Sequence, residues 1–318
     1  MQKKKRKRYL ILFLVACLLV VGFSYYHKNL QASTDSRISE EKQVSSDKKT
    51  SKTDSKLKSE KTVNGKRQII KTNLTNYLNA VTADGTASVS FYNLGNDNDK
   101  SNKLYQEGSL EVEANAETVN IAASTHKLYM SAFLMGQKQN GNFDWTVAND
   151  DGFTRMIVNS ENDFAESQII KYGTATISAY LKQQGYYGTV FQDTEAAQTT
   201  SYSLELLLRD LEKGTGSFAN QDDRQKLLDL MSKQTYRTGI PTGVAQAKSG
   251  TTVQDKVGFL GDTNNDAGIV TLPNGQKYIL VIMTNGHNQN NLSGFPRIAE
   301  IAKNVQKIVY GSNAGEKK

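Results

Sequence analysis

Ser124 and Lys127 stand three residues apart at the head of a largely apolar run, Ala122 to Gly136. In a helix that spacing puts both side chains on one face. A serine at a helix start lies beside unpaired backbone N–H groups and the positive end of the helix dipole. That setting suits a nucleophile whose carbonyl target becomes an oxyanion. The tetrad alone describes equally well an N-capping serine and a lysine whose stem follows apolar surface out to water. Gly136 fits the left-handed residue that closes a helix.

Two further polar clusters could complete a site. Val158-Asn159-Ser160-Glu161-Asn162 falls between two helical patterns. As an extended loop it would turn Ser160 and Asn162 to one cleft and Glu161 to solvent. Ala247-Lys248-Ser249-Gly250-Thr251-Thr252 precedes a strand pattern. There the glycine lets a substrate backbone approach closely, and Lys248 offers a positive charge to an anionic group. A serine nucleophile needs a base within hydrogen-bond reach. His126 is two residues from Ser124, and such side chains diverge on a helix. His27 adjoins the apolar N-terminal run, and His287 has no evident serine partner. The base is therefore expected to be Lys127, its pKa lowered by burial and by a second cation, for which Lys248 is the candidate.

The rest of the chain must position these groups. Of 39 basic and 32 acidic residues in 318, residues 1–28 hold seven basic and no acidic ones, and residues 29–66 hold nine and six. That leaves 23 basic and 26 acidic residues for 67–318. The excess charge belongs to the tail, which argues against nucleic acid as a partner. One cysteine and three scattered histidines cannot assemble a metal centre, and no cofactor is expected.

Lys3 to Arg8 precedes an uncharged, mostly apolar run from Tyr9 to Tyr26. The positive-inside rule puts the N-terminus in the cytoplasm and the remainder outside the cell membrane. An uncleaved signal anchor is favoured over cleavage after Ala32, which would give a secreted protein, and over a lipid anchor at Cys17. Residues 33–66 are poor in apolar side chains, so 29–66 is expected to be a disordered linker.

The folded body is expected to span 67–318. Ile69, Ile70, Leu74, Tyr77, Leu78 and Val81 have helical spacing, whereas Thr86–Leu94 and Ser109–Ala114 alternate as strands. Helices are expected at about 153–159, 162–171, 174–184, 201–213 and 221–233. Strands return at Lys256–Leu260, Ala267–Thr271 and Tyr278–Met283, and a last helix covers about Gly294–Tyr310. The fold class is α+β, a five-stranded antiparallel sheet flanked by the N- and C-terminal helices, plus a helical subdomain.

Ser124-Thr125-His126-Lys127, Ser160-Glu161-Asn162 and Lys248-Ser249-Gly250 resemble, in that order, the Ser-x-x-Lys, Ser-Asp-Asn and Lys-Thr-Gly set of class A β-lactamases and penicillin-binding proteins. The resemblance extends over about residues 69–310. It implies that Ser124 is acylated, Lys127 takes its proton, Ser160 relays a proton to the leaving nitrogen, and Asn162 holds substrate and Lys127. It further implies that Lys248 binds the substrate carboxylate, with Ser249, Gly250 and Thr251 beside it and the Thr251 N–H in the oxyanion hole. The implied substrates are peptidoglycan stem peptides ending in D-Ala-D-Ala, or β-lactams as their mimics. Two departures stand out. The interval from Ser124 to Ser160 is short for the family. The Tyr186–Gln198 loop is also reduced, lacks the Glu-x-x-Leu-Asn pattern of the deacylating glutamate, and has Asp193 and Glu195 as its only acids. Acylation with slow deacylation is the expected behaviour. The rival readings are a genuine β-lactamase, a D-alanyl esterase, and a catalytically silent binding module.

Overall fold

Alternation of buried side chains on the central strands explains why the chain folds as layers. The computed structural model describes residues 50–96, 98–99 and 101–317. In β7 (Lys277–Thr284), Tyr278, Leu280 and Ile282 point to one face while Ile279, Val281 and Met283 point to the other. A strand with period-two side chains that is apolar on both faces must be covered on both. It lies at the centre of a five-stranded antiparallel sheet, with β1 (Ala87–Gly95) on one side and β6 (Thr263–Thr271) on the other. The outer strands are β2 (Val112–Ala114) and β5 (Thr252–Leu260), giving the order β2-β1-β7-β6-β5. This is the expected sheet.

One face is covered by α1 (Thr50–Val81) and α9 (Phe295–Tyr310). Ile70, Leu74 and Leu78 of α1 recur every four residues, and α9 presents Phe295, Ile298, Ile301, Ala302, Val305 and Val309. These stripes pack on Val89, Phe91, Leu280 and Ile282. Among the described residues, α1 reaches back to Thr50 and not only to Arg67, so residues 50–66, expected to be linker, are helical. The run Tyr9–Tyr26 and residues 29–49 lie outside the described residues. Among the described residues, no helix is long and apolar enough to cross a membrane.

The other face carries the helical subdomain. Its axis is α2 (His126–Gln139), in which every residue from Lys127 to Gly136 is buried. Gly136 does not close this helix. A β-carbon there would fall 1.8 Å from the Tyr180 hydroxyl, so glycine makes room for a packed tyrosine. Around α2 lie α3 (Val147–Thr154), which runs into a π-helical turn at Arg155–Asn159, α4 (Asp163–Tyr172), α5 (Thr174–Gln183), α6 (Ser201–Lys213) and α7 (Gln221–Ser232). A short helix, α8 (Ile240–Ala247), was not expected from its Pro241 and Gly243. Pro241 occupies the first turn, where its missing N–H has no intrahelical role. Gly243 allows the backbone of α9 to approach, since a β-carbon would lie 2.0 Å from the Ala299 carbonyl oxygen. A two-stranded ribbon pairs β3 (Asn120–Ile121) with β4 (Gln198–Thr199) and leads directly to Ser124.

Candidate active site

The nucleophile candidate sits where three restraints converge. Asn265 of β6 donates to the carbonyls of Ile121 (2.8 Å) and Ala122 (3.0 Å), and the Ala122 N–H donates to Ala197 O at 2.7 Å. Ala123 then adopts φ 45°, a left-handed conformation that costs a residue with a β-carbon energy. The kink starts the 3₁₀ turn Ala123–Thr125, which continues as α2. Gly258 of edge strand β5 lies against this turn. A β-carbon on it would come within 2.8 Å of the Ser124 and Thr125 nitrogens, so only glycine lets β5 pass so close.

Lys127, one turn on, is fully buried. Its Nζ is 2.9 Å from Ser124 Oγ and donates to Ser160 O and Asn162 Oδ1, each at 2.6 Å. Ser160 and Asn162 do reach one cleft, but not through an extended loop. Ser160 has φ 64° and ψ 25° at the end of the π-helical turn, and Glu161 and Asp163 are tied back to Arg155. This left-handed residue turns the Ser160 carbonyl toward Lys127.

The cation beside Ser160 is Lys256, not Lys248, and the lowering of Lys127 comes from burial, not from a second cation. Lys256 is buried on β5, and its Nζ donates to Ser160 Oγ at 2.7 Å and to Val257 O at 3.0 Å. Lys248, Ser249, Gly250 and Thr251 are corrected accordingly. They form the exposed turn between α8 and β5, in which Thr251 Oγ1 donates to Lys248 O at 2.8 Å. Lys248 lines a separate cleft with Pro273 and Tyr310. The reason is positional: β5 meets the Ser124 turn at Gly258, eight residues past Gly250. Lys256-Val257-Gly258 repeats the Lys-x-Gly pattern inside the strand. The available signal was a lysine within an otherwise alternating strand.

Burial sets the protonation states. Desolvation lowers Lys127 to about 8, against the opposing pull of Glu166, Asp163 and Glu161. Burial and the neighbouring Lys127 charge push Lys256 well below the usual lysine value, although Asp255 and Asp266 oppose this. Burial and Lys127 hold His126 down at about 3, so its imidazole stays neutral. Beneath Lys256, the buried Asp255 and Asp266 are both raised, Asp266 to about 6, chiefly by desolvation. Arg237 pairs with Asp255, and the Ile240 N–H donates to Asp266 Oδ2 at 2.8 Å.

The arrangement can therefore supply a serine hydroxyl, an amine able to deprotonate it near neutral pH, and a serine–lysine relay beside it. The rate of Ser124 acylation is expected to rise tenfold per pH unit up to about pH 8 and then level, because only neutral Lys127 accepts the proton. Glu166→Gln removes the carboxylate that contributes most to raising Lys127, so the inflection of a stopped-flow pH profile should move to lower pH. Lys256→Ala is expected to slow acylation by roughly 100-fold or more, while Lys248→Ala stays within about twofold. Equal losses in both variants would return the role to the turn.

The cavity beside Ser124, about 290 Å³, is lined by Asn162, His126 and Phe259, and by Glu195 from the Tyr186–Gln198 loop. Asp193 is held aside, accepting from Thr174 Oγ1 at 2.6 Å.

Comparisons with known proteins bear on the family and the fold. The description "Beta-lactamase enzyme family" matches residues 146–309, a stretch that contains Ser160, Asn162 and Lys256 and begins after Lys127. No curated protein matches the chain at a significant level. Among solved structures, PBP-A superimposes with a TM-score of 0.61 at 23% identity, over 75% of this chain and 95% of that one. A β-lactamase from Sphaerobacter thermophilus gives 0.57 at 17% identity, over 74% and 95%. The TLA-1 extended-spectrum β-lactamase gives 0.59 at 17% identity, over 73% and 96%. With the family match covering just over half of the sequence, the chain belongs to the β-lactamase enzyme family.

Proposed function

We propose that the protein is a serine acyl-enzyme acting on cell-wall peptides of the D-Ala-D-Ala type, with β-lactams reacting as mimics, and that it deacylates slowly. The observation that carries this reading is the Lys127 contact set: Ser124 Oγ, Ser160 O and Asn162 Oδ1 around one buried amine. In the reaction, neutral Lys127 takes the Ser124 proton as Oγ attacks the carbonyl carbon. The backbone N–H of Ser124 and a backbone N–H of edge strand β5 receive the oxyanion, and Ser160, polarised by Lys256, passes a proton to the leaving nitrogen and is made good by the proton that Lys127 took. Slow deacylation is supported by the Tyr186–Gln198 loop, which is reduced and lacks the Glu-x-x-Leu-Asn pattern. A point mutant of PBP-A has been seen in an acyl-enzyme complex with penicillin-G. The N-terminal basic cluster and apolar run support a single-pass anchor that keeps this domain on the outer face of the membrane.

Intact-protein mass after mixing with benzylpenicillin tests the reading. A penicilloyl adduct that persists for hours is the expected result. An adduct that vanishes as free drug is hydrolysed would make the protein a β-lactamase, and no adduct would favour the esterase or the silent module. Asp193→Asn should leave the adduct lifetime unchanged.

A further inference from the structure

His126 lines the cavity beside Ser124, and its ring is held from two sides. Nδ1 lies 2.7 Å from the carbonyl oxygen of Ala123. A carbonyl only accepts, so Nδ1 carries the proton and Nε2 keeps a lone pair. Burial and the Lys127 charge keep the imidazole neutral, so this tautomer persists through the neutral range. The ring meets Phe191 of the Tyr186–Gln198 loop edge-on, with centroids 5.6 Å apart and planes at 81°. Phe191 is fixed in turn by Ser178, whose hydroxyl donates to Phe191 O at 2.8 Å and accepts from its N–H at 3.2 Å.

The carbonyl that His126 holds belongs to the peptide whose other end is the Ser124 N–H. In a planar trans peptide the two groups point opposite ways, so fixing the carbonyl fixes the direction of the N–H. The restraint matters because Ala123, at φ 45°, is strained and can relax by rotating the peptides on either side of it. The His126 backbone N–H is divided between Ala123 O and Ser124 O, whereas Nδ1–H is directed to Ala123 O. A donor on the carbonyl also polarises the peptide and makes its N–H a stronger donor.

Resting on the acyl-enzyme reading, we propose that His126 is a positioning residue whose Nδ1–H locks the Ala123–Ser124 peptide with the Ser124 N–H turned to the oxyanion. It takes no proton in the reaction, and its role needs no contact with substrate.

Two substitutions separate this role from packing. His126→Phe keeps a ring against Phe191 but loses the donor. His126→Asn loses the ring but places an amide N–H where Nδ1 stood. Acylation of the full-length protein by benzylpenicillin is followed over a range of drug concentrations, on the pH plateau where Lys127 is neutral. In His126→Phe the limiting rate is expected to fall about tenfold or more, with the half-saturating concentration within about twofold. His126→Asn is expected to stay within about threefold of the wild type, because its donor still holds the peptide. A packing role predicts the reverse order, so an Asn variant as slow as the Phe variant, or slower, overturns the proposal. A ¹⁵N spectrum of the wild-type histidines stands even if a variant fails to fold. There His126 is expected as the Nδ1–H tautomer, and the Nε2–H tautomer overturns the proposal. If the wild type is not acylated at all, the acyl-enzyme reading falls. If it is acylated and His126→Phe reacts as fast, only the role of His126 falls.

Discussion

Ser124→Ala is expected to abolish the penicilloyl adduct completely while leaving the thermal midpoint within a few degrees. The hydroxyl is half-buried, and its one side-chain hydrogen bond among the described residues is with Lys127 Nζ. Losing it removes a single hydrogen bond, on the order of 1 kcal/mol. The backbone path through Ala123 is fixed independently by Asn265 and Ala197, so the site should keep its shape. Mass spectrometry after benzylpenicillin treatment reads the first effect and differential scanning calorimetry the second. An adduct persisting in this variant would remove Ser124 as the nucleophile. A midpoint falling far more than a few degrees would mean that the loss reported unfolding.

The second large effect is expected from Lys127→Met, with acylation slowed by about 10³-fold or more, because general-base assistance and the oriented proton path disappear together. Stability should change much less. Lys127 has a folded pKa of about 8 against 10.5 for an unperturbed lysine. The shift is downward, so the charged form is destabilised in the folded protein. This cost is fully present below about pH 8 and fades as pH rises toward 10.5. It amounts to on the order of 3 kcal/mol at neutral pH. Methionine removes that cost but leaves Ser160 O and Asn162 Oδ1 without their donor, a penalty of about 1–3 kcal/mol each. The two effects offset, and at pH 7 the midpoint should stay close to the wild type. Acylation retained within tenfold would assign the proton to another group.

The sequence patterns that made the fold legible were those set by one face of one element. Period-two runs marked the first two strands, short apolar runs marked the strands near the C-terminus, and the stripes Ile70-Leu74-Leu78 and Ile298-Ile301-Val305 marked the flanking helices. Ser124, Lys127, Ser160 and Asn162 were legible because two of them share a helix face and two share a tight turn. Lys256 was not, because its role depends on where β5 crosses the Ser124 turn. That register is fixed by the pairing of β5 with β6, Lys256 opposite Ala267, and not by any neighbour in sequence. Lys248-Ser249-Gly250 carried the expected residue types and sat before a strand, so local chemistry pointed eight residues too early. Glu166 was overlooked for a similar reason: it lies on the cleft side of α4 only once that helix is docked.

The depth at which Lys127 is buried has a consequence for how fast the protein responds to its surroundings. With its amine at about 8 and the nearby imidazole at about 3, neither of these groups titrates between pH 5 and 7. Over that range the neutral fraction of Lys127 changes in simple proportion to hydroxide, about one molecule in ten at pH 7 and one in a hundred at pH 6. Through Lys127 alone, acidification of the medium would therefore dim the reaction gradually, so that a fixed exposure to acyl donor marks fewer molecules in more acidic surroundings.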